Sequence, residues 1–521
     1  MNKTCYVTTP IYYASGEVHI GNSYTTVACD AFARYKRGQG YNTFFLTGMD
    51  EHGLKIEDAA KKVGCTPKEY VDNIAYKTKE LWNNLRITND YFIRTTDDNH
   101  VQVVQDLFEK LIASDDIYLG EYEGNYCVPC ETFFTKTQLN EDGTCPDCGR
   151  ETIRVKEEAY FLRLKKYQNK LLDFIKSNSD FIQPSTRRNE VISFIESGLE
   201  DLCVSRTSLK WGIPVKSNPK HVIYVWIDAL ANYITALGYG TKEDKNYQTY
   251  WQNGDEIIHV VGKDILRFHA IYWPIMLMAL NIPIKFKLYV HGWILMKEGK
   301  MSKSKGNIVY PMDIVNRYGL DSLRYYLDKE MPLGNDGLFS YERFFERYNL
   351  DLANNYGNLV SRTIAMVNKY FNGDIYKPDK AYTEFDVKLE TNLKECVNNY
   401  KKCFDEFRIQ DGIEEVMKLL SFGNKYIDET SPWVLAKDEA KKEELNDVLY
   451  HLYEVIRVST ILLSPVLVDS SKVVLEELNT EYDKFTNLEY GLSESCHVTD
   501  SPVVLFKRID ALKELKEVGN N

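Results

Sequence analysis

The chain has 521 residues, 44% of them hydrophobic and 27% charged, with a formal net charge of −12. That length allows roughly two to four domains with full cores, and the composition is that of an ordinary soluble globular protein. The acidic balance weighs against unspecific nucleic-acid binding, although a basic patch can sit on an acidic chain; residues 285–305 carry one, with Lys285, Lys287, Lys297, Lys300, Lys303 and Lys305 against Glu298.

The opening MNKTCYVTTP lacks the apolar run and cleavage site of a signal peptide, so a cytoplasmic protein is expected. Residues 4–9 (TCYVTT) predict a short buried strand, 22–38 a helix closed by Gly38 and Gly40, 43–48 a second strand and 51–63 a second helix. This alternation predicts a parallel, doubly wound sheet. Helical patterns follow at 67–86 and 99–114. The rhythm breaks over 116–220, which holds two Cys-x-x-Cys pairs, turns, Ile213-Pro214 and Asn218-Pro219, and returns with strands at 221–226, 257–262 and 286–290 and a helix at 265–280. The middle thus reads as an insertion into one split nucleotide-binding domain. The most membrane-like run, Ala270–Ile284, is too short to span and is interrupted by Pro274, Asn281 and Pro283, so a buried helix and no membrane partner are expected. From about 341 amphipathic helices dominate (341–371, 383–407, 409–427 and 443–463), which predicts an appended helical bundle. The chain closes on a helical segment, Lys507–Val518, with no sign of a further oligonucleotide-binding or dimerisation domain, so a monomer is expected.

Three constellations carry chemistry. His19-Ile20-Gly21-Asn22 lies between the first strand and the first helix; a loop running into a helix N-terminus offers free backbone N–H groups to a polyphosphate, Gly21 lets a ligand approach the backbone, and His19 can donate to phosphate oxygens. No Gly-x-Gly-x-x-Gly is present, so a dinucleotide site has no support. Lys300-Met301-Ser302-Lys303-Ser304 follows the 286–290 strand between Gly299 and Gly306, and its lysines can neutralise charge developing on a transferring phosphate. Taken singly, a histidine near a helix start is more often a polar surface group, and a lysine loop more often a solvated one. Cys127-x-x-Cys130 and Cys145-x-x-Cys148 can present four thiolates tetrahedrally, as a structural zinc ion requires, and four cysteines leave no position for a catalytic water. One structural Zn²⁺ per chain is expected.

The first two constellations together resemble the "HIGH" and "KMSKS" motifs of class I aminoacyl-tRNA synthetases, in that family's order and context. KMSKS is matched at all its positions; the first motif departs at Asn22, where the family more often has histidine. A finer resemblance, to the methionyl-tRNA synthetases, covers essentially the whole chain: Thr9-Pro10-Ile11-Tyr12-Tyr13, Leu46-Thr47-Gly48-Met49-Asp50-Glu51-His52-Gly53, Tyr224-Val225-Trp226-Ile227-Asp228-Ala229-Leu230 and Gly262-Lys263-Asp264-Ile265-Leu266-Arg267-Phe268-His269. The resemblance implies an α/β fold in which a split Rossmann-like catalytic domain (1–115 and 221–295) holds a zinc-binding insertion (116–220). A KMSKS loop and stem-contact region (296–345) and an all-α anticodon-binding domain (346–521) follow.

It also implies roles. Ile11, Tyr13, Trp226, Ala229, Leu230, Tyr233, Ile265, His269 and Trp273 line a methionine pocket, and Asp50 pairs with the ammonium group. His19, Gly21, Asn22, Gly262, Asp264, Lys300 and Lys303 bind ATP, Asp264 holding the ribose and His19, Lys300 and Lys303 stabilising the reacting phosphates with Mg²⁺. The physics agrees for the pocket, since a thioether packs well against aromatic rings; without the flanking strings, helix-spaced aromatics more often just fill a core. Asn358, Arg362 and Trp433, in Asn358-Leu359-Val360-Ser361-Arg362 and Ser431-Pro432-Trp433, resemble anticodon-reading elements; Asn358 and Arg362 share a helix face. The implied partners are ATP, L-methionine and methionine tRNA, initiator and elongator. The implied reaction is attack of the methionine carboxylate on the α-phosphate, release of pyrophosphate, and transfer of the acyl group to the tRNA terminal ribose. The rivals are another class I synthetase, of which those for isoleucine, valine and leucine carry much larger insertions, and a catalytically silent tRNA-binding protein on the same fold.

Overall fold

A computed structural model describes residues 2–128, 132–134, 139–146, 148–297, 299–301, 307–330, 332–379 and 383–518. Strand Thr4–Thr8 is buried along its length after Thr4, as a strand covered on both faces by helices must be. It pairs with Asn42–Asp50 on one side and Glu256–Gly262 on the other. Asn42–Asp50 also pairs with Tyr12–Tyr13 and Tyr91–Arg94, and Glu256–Gly262 leads through Phe286–His291 to Ile182–Gln183, completing a seven-stranded sheet whose pairings are all parallel. The chain winds away from Thr4–Thr8 in one direction and returns on the other side. The carboxyl ends around that strand therefore frame a crevice at a topological switch point, where open α/β sheets bind ligands.

Helix Ile20–Gly38 begins before the expected Asn22, because His19 is its cap: extended in backbone, with a side chain that accepts from the Gly21 amide. The second helix runs Leu54–Val63 and leaves Glu51–Gly53 outside it, with Gly53 at a φ of 117° that favours glycine. The apolar run 221–226, expected as one strand, is a strand only at Val222–Ile223; Tyr224 then caps the helix Val225–Thr235. A fully buried β-branched and aromatic run satisfies strand and helix patterns alike, and here the cap position decides. The expected 265–280 helix is a succession of helical turns that includes one widened turn, Phe268–Tyr272. Ala270–Ile284 falls on this buried stretch, and among the described residues no helix is long and apolar enough to cross a membrane.

Between the two parts of the sheet, Ile117–Cys127 and Ile153–Leu162 form a long antiparallel hairpin, joined by Thr132–Phe134. The chain then rejoins the main sheet at Ile182–Gln183, well before residue 220. The later part is helical: Tyr341–Arg347 runs through a widened stretch into Asn358–Phe371, followed by Glu384–Asp405, Ile409–Thr430 and Lys442–Leu463. The last is buried at every residue from Asp447 to Leu463, which marks it as the helix the others surround. The final helix is shorter than expected, Ala511–Val518, and docks through Glu514 and Glu517 on Arg317.

The sheet and the bundle meet through charge as well as apolar packing. Asp30 and Arg324, neither exposed to solvent, pair at 2.8 Å, and Arg324 also donates to the carbonyls of Leu85, Pro465 and Val466. Burial pushes the Asp30 carboxyl up, but Arg324 and Arg34 outweigh it and hold it below its ordinary value. Removing one partner of such a pair strands a buried charge, at a cost of about 3–5 kcal/mol.

Candidate active site

The described residues of the lysine motif lie close to the first helix turn. His19 Nδ1 accepts the Gly21 amide at 3.1 Å, which leaves Nε2 to carry the proton of the neutral ring. A Cβ at Gly21 would stand 2.9 Å from the His19 ring, too close to fit without a shift, and in ordinary contact, 3.5 Å, with the methyl of Met301. Met301, within the second motif, is buried in the same apolar cluster as Ile20, and the Ile20 amide donates to the Val309 carbonyl at 3.1 Å. Asn22 sits half-buried in the first helical turn, its amide on the His19 carbonyl. Lys300 is described through its backbone pairing with Leu295; Lys303 lies outside the described residues. Across the crevice, Gly262 ends its strand where a Cβ would fall 2.5 Å from Oδ1 of Asp264. The exposed Asp264 accepts from Trp293 Nε1 at 3.2 Å. Thr25 and His291 bond at 2.8 Å nearby, linking the first helix to the last long strand.

The residues expected around methionine converge on helix Val225–Thr235. Tyr13 stands beside Asp50 in the strand register, and the Ala14 amide donates to the Asp50 carbonyl. The Asp50 side chain is almost wholly buried, 6% exposed. Ile11 and Trp226 pack on the small cluster that contains Ala229, and Leu230 and Tyr233 are buried. His269 is held by two bonds, Nδ1 to the Ile265 carbonyl at 2.9 Å and Nε2 to the Tyr233 hydroxyl at 2.7 Å. A carbonyl can only accept, so Nδ1 carries the proton and the Tyr233 hydroxyl donates to Nε2. Burial pushes the His269 pKa down to about 4, keeping the ring neutral. Trp273 is fully buried and reaches this group through Tyr233, ring to ring at 6.0 Å.

Several participants carried no role in the sequence reading. Phe268 stacks face to face on Trp226, with ring centroids 3.4 Å apart and 9° between planes. It belongs to the widened turn, and such turns often mark functional positions. His52, next but one to Asp50, bonds the buried Asp228 at 2.7 Å. Both stood inside motif strings, but only pairing in space distinguishes them.

Of the cysteines, the Sγ atoms of Cys127, Cys145 and Cys148 lie within 4.8 Å of one another, with Cys127 and Cys148 at 3.5 Å; Cys130 lies outside the described residues. Thiolates around a tetrahedral ion with Zn–S bonds of about 2.3 Å stand roughly 3.8 Å apart, so the spacing fits a metal. Cys145 closes its turn with bonds to Arg150 and Gly149. In the bundle, Asn358 is exposed and Arg362 half-buried, facing Asp428 at 3.6 Å. Trp433 is 42% exposed, on a short helix that Pro432 opens after Ser431 in the left-handed region.

A split parallel sheet whose histidine-capped helix has Met301 of the lysine motif beside its first turn is the frame of a class I aminoacyl-tRNA synthetase. Accordingly, residues 5–157 and 151–364 match the family model of tRNA synthetases class I (M), and residues 378–517 match that of the anticodon binding domain of methionyl tRNA ligase. The chain is 53% identical to the methionine–tRNA ligase of Bacillus subtilis over 529 residues, covering 99% of this chain and 79% of that one. With the enzyme of that name from Caldanaerobacter subterraneus it shares 52% over 520 residues, covering 99% and 80%. Among solved structures, Mycobacterium tuberculosis methionyl-tRNA synthetase bound by methionyl-adenylate superposes with a TM-score of 0.92 at 38% identity, over 97% of this chain and 100% of that one. The free form of that protein gives 0.85 at 34%, over 98% and 99%. The chain belongs to the methionine–tRNA ligase family; it is an enzyme, an ATP-dependent ligase of class I.

Proposed function

We propose that this chain activates L-methionine with ATP, releasing pyrophosphate, and passes the methionyl group to the terminal ribose of methionine tRNA, initiator and elongator, through the residues described above. The observation that carries the reading is the approach of the two motif regions, with Met301 beside Gly21 and Ile20 bonded to Val309 just past the lysine motif. No protein nucleophile is needed, so positioning and electrostatics do the work. Asp50 takes the ammonium group, and Ile11, Tyr13, Trp226, Ala229, Leu230, Tyr233, Ile265, His269 and Trp273 shape the side-chain pocket. The neutral His269 fits an uncharged thioether. His19, Gly21 and Asn22 receive the triphosphate, Gly262 and Asp264 the ribose, and Lys300 and Lys303, with the Mg²⁺ that accompanies ATP, offset charge on the departing pyrophosphate. Zn²⁺ held by Cys127, Cys130, Cys145 and Cys148 supplies no chemistry in this reading; it fixes the fold of the insertion. Asn358, Arg362 and Trp433 read the anticodon, Trp433 by stacking. The division at 1–115, 116–220, 221–295, 296–345 and 346–521 is our reading of the domains, as are a monomeric state and a cytoplasmic location.

The test is methionine-dependent ATP–pyrophosphate exchange by the purified chain. Exchange with methionine is expected, and with isoleucine, valine, leucine or cysteine much less. Binding of tRNA without any exchange would instead indicate a silent relative.

A further inference from the structure

Helix Val225–Thr235 carries much of the proposed side-chain pocket, and segment Asp50–Gly53 carries the carboxylate proposed for the ammonium group. They are distant in sequence, and one side chain spans them. Asp228 is fully buried. Its Oδ2 lies 2.7 Å from Nδ1 of His52 and its Oδ1 2.8 Å from Nε2 of His100. The other nitrogen of His100 meets the Thr235 hydroxyl at 2.7 Å. A carboxylate can only accept, so each ring donates an N–H to it; the Thr235 hydroxyl, which also reaches the Asn232 carbonyl at 3.4 Å, pairs with Nδ1 of His100. Burial pushes the Asp228 carboxyl up, but His52 and His100 outweigh it and keep it below its ordinary value, so it stays an anion.

The rest of the segment is pinned separately. The Glu51 carboxylate bonds Arg94 at 2.7 Å and Thr96 at 2.5 Å, and its amide donates to Thr95. Trp211 closes over the segment, its indole N–H on the Glu51 carbonyl at 2.6 Å and its own carbonyl taking the Gly53 amide. These bonds tie the segment to neighbouring loops. The bond from His52 ties it to the pocket helix.

We propose that Asp228, acting through His52, is a positioning residue that sets the Asp50 carboxylate at a fixed distance from the side-chain pocket, so that the two ends of the amino acid are read against one ruler. The inference rests on the reading of Asp50 as the ammonium partner, and it distinguishes two classes of ligand. Methionine needs both ends in register. Its deamino analogue, with the same thioether chain and carboxylate but no ammonium group, does not.

The test is calorimetric binding of these two ligands to the full chain and its variants. His52→Ala is expected to weaken methionine roughly ten- to hundredfold, the range for a lost hydrogen bond to a charged group, and to leave the deamino analogue unchanged. In exchange assays KM for methionine should rise with kcat and KM for ATP nearly constant, the pattern of lost ground-state binding. His52→Asn, whose amide nitrogen can stand where Nδ1 stands, should restore most of the affinity. If His52→Ala does not fold, His52→Gln keeps a donor but carries it further out, and the same selective loss is expected. Equal weakening of both ligands, or of neither, overturns the proposal. Asp50→Asn tests the reading beneath it. If Asp50→Asn still separates the two ligands as the parent does, Asp50 is not the ammonium partner and that reading fails. If it loses the distinction while His52→Ala keeps it, the positioning role alone fails.

Discussion

Asp50, Tyr233 and His269 are each at most 6% exposed, whereas Trp433 is 42% exposed and Asn358 open to solvent. The sheet half holds the polar contacts proposed for methionine inside the protein, where a polar atom left unmatched is costly. The bundle displays its contacts on a surface. Buried groups are costly to leave unmatched, so their positions are fixed before a ligand arrives, which suits reaction chemistry that depends on preorganisation. A half-exposed ring can adjust to an unstacked base, the usual mode of single-stranded RNA recognition. The two halves should therefore fail in different assays.

The largest effect is expected in the sheet half. Lys303→Ala should slow methionine-dependent exchange by about 10²–10³, the scale of removing one electrostatic stabiliser, with methionine binding nearly unchanged. Exchange close to that of the parent would remove Lys303 from the reaction. In the bundle, Trp433→Ala should leave exchange intact and lower tRNA charging by roughly ten- to hundredfold, the loss of one base–aromatic stack. A fall in exchange, or normal charging, would erase the contrast between the halves. The cysteine cluster lies between these extremes: about one equivalent of zinc is expected per chain, and Cys145→Ser should release it and loosen the hairpin before exchange suffers. Full activity in a metal-free preparation would refute the structural role.

The smallest effect is set where the halves meet. Asp328 is 2% exposed, and neither carboxylate oxygen has a hydrogen-bond partner among the described residues. It borders a cavity of about 110 Å³ shared with Tyr24, Phe407 and Arg408. Burial pushes its pKa from 3.8 up to about 7, with Arg324 opposing and Asp30 reinforcing the rise. A raised folded pKa favours the protonated form, so its contribution to stability is fully present below 3.8 and is lost as pH rises through about 7. Asp328→Asn keeps the shape and removes the titration. It should stabilise the chain at about pH 8 by about 1–3 kcal/mol, the cost of an unpartnered buried polar group, give a clearly smaller gain near pH 5, and give none below 3.8. A gain of equal size at both values would show that Asp328 is ionised throughout.

Much of this was legible in the sequence because periodicity and caps report local preference. Strands 4–9 and 257–262 and the helix at 443–463 stand close to where their patterns put them. The stretch 221–226 was not, because an apolar run buried on all sides has no polar face to reveal its period. Nor was Ile182–Gln183, too short for any pattern, whose place is given by pairing with Leu288 and Tyr289. In the site, motif strings named His19, Asp50 and Asp264. They contained Asp228, His52 and Met301 but gave no sign that Asp228 pairs with His52 or that Met301 lies against Gly21, because those relations exist only between segments far apart in the chain.

The bond from Ile20 to Val309 has one more consequence. Lys300 is paired to Leu295 at one end of the lysine motif, and Val309 is fastened to the first helix at the other. The two fastenings belong to different elements, one to the short antiparallel pair with Ile294–Met296 and the other to the helix that His19 caps. Any shift of the first helix is therefore passed to Val309 directly, while Lys300 moves with the strand that carries Leu295.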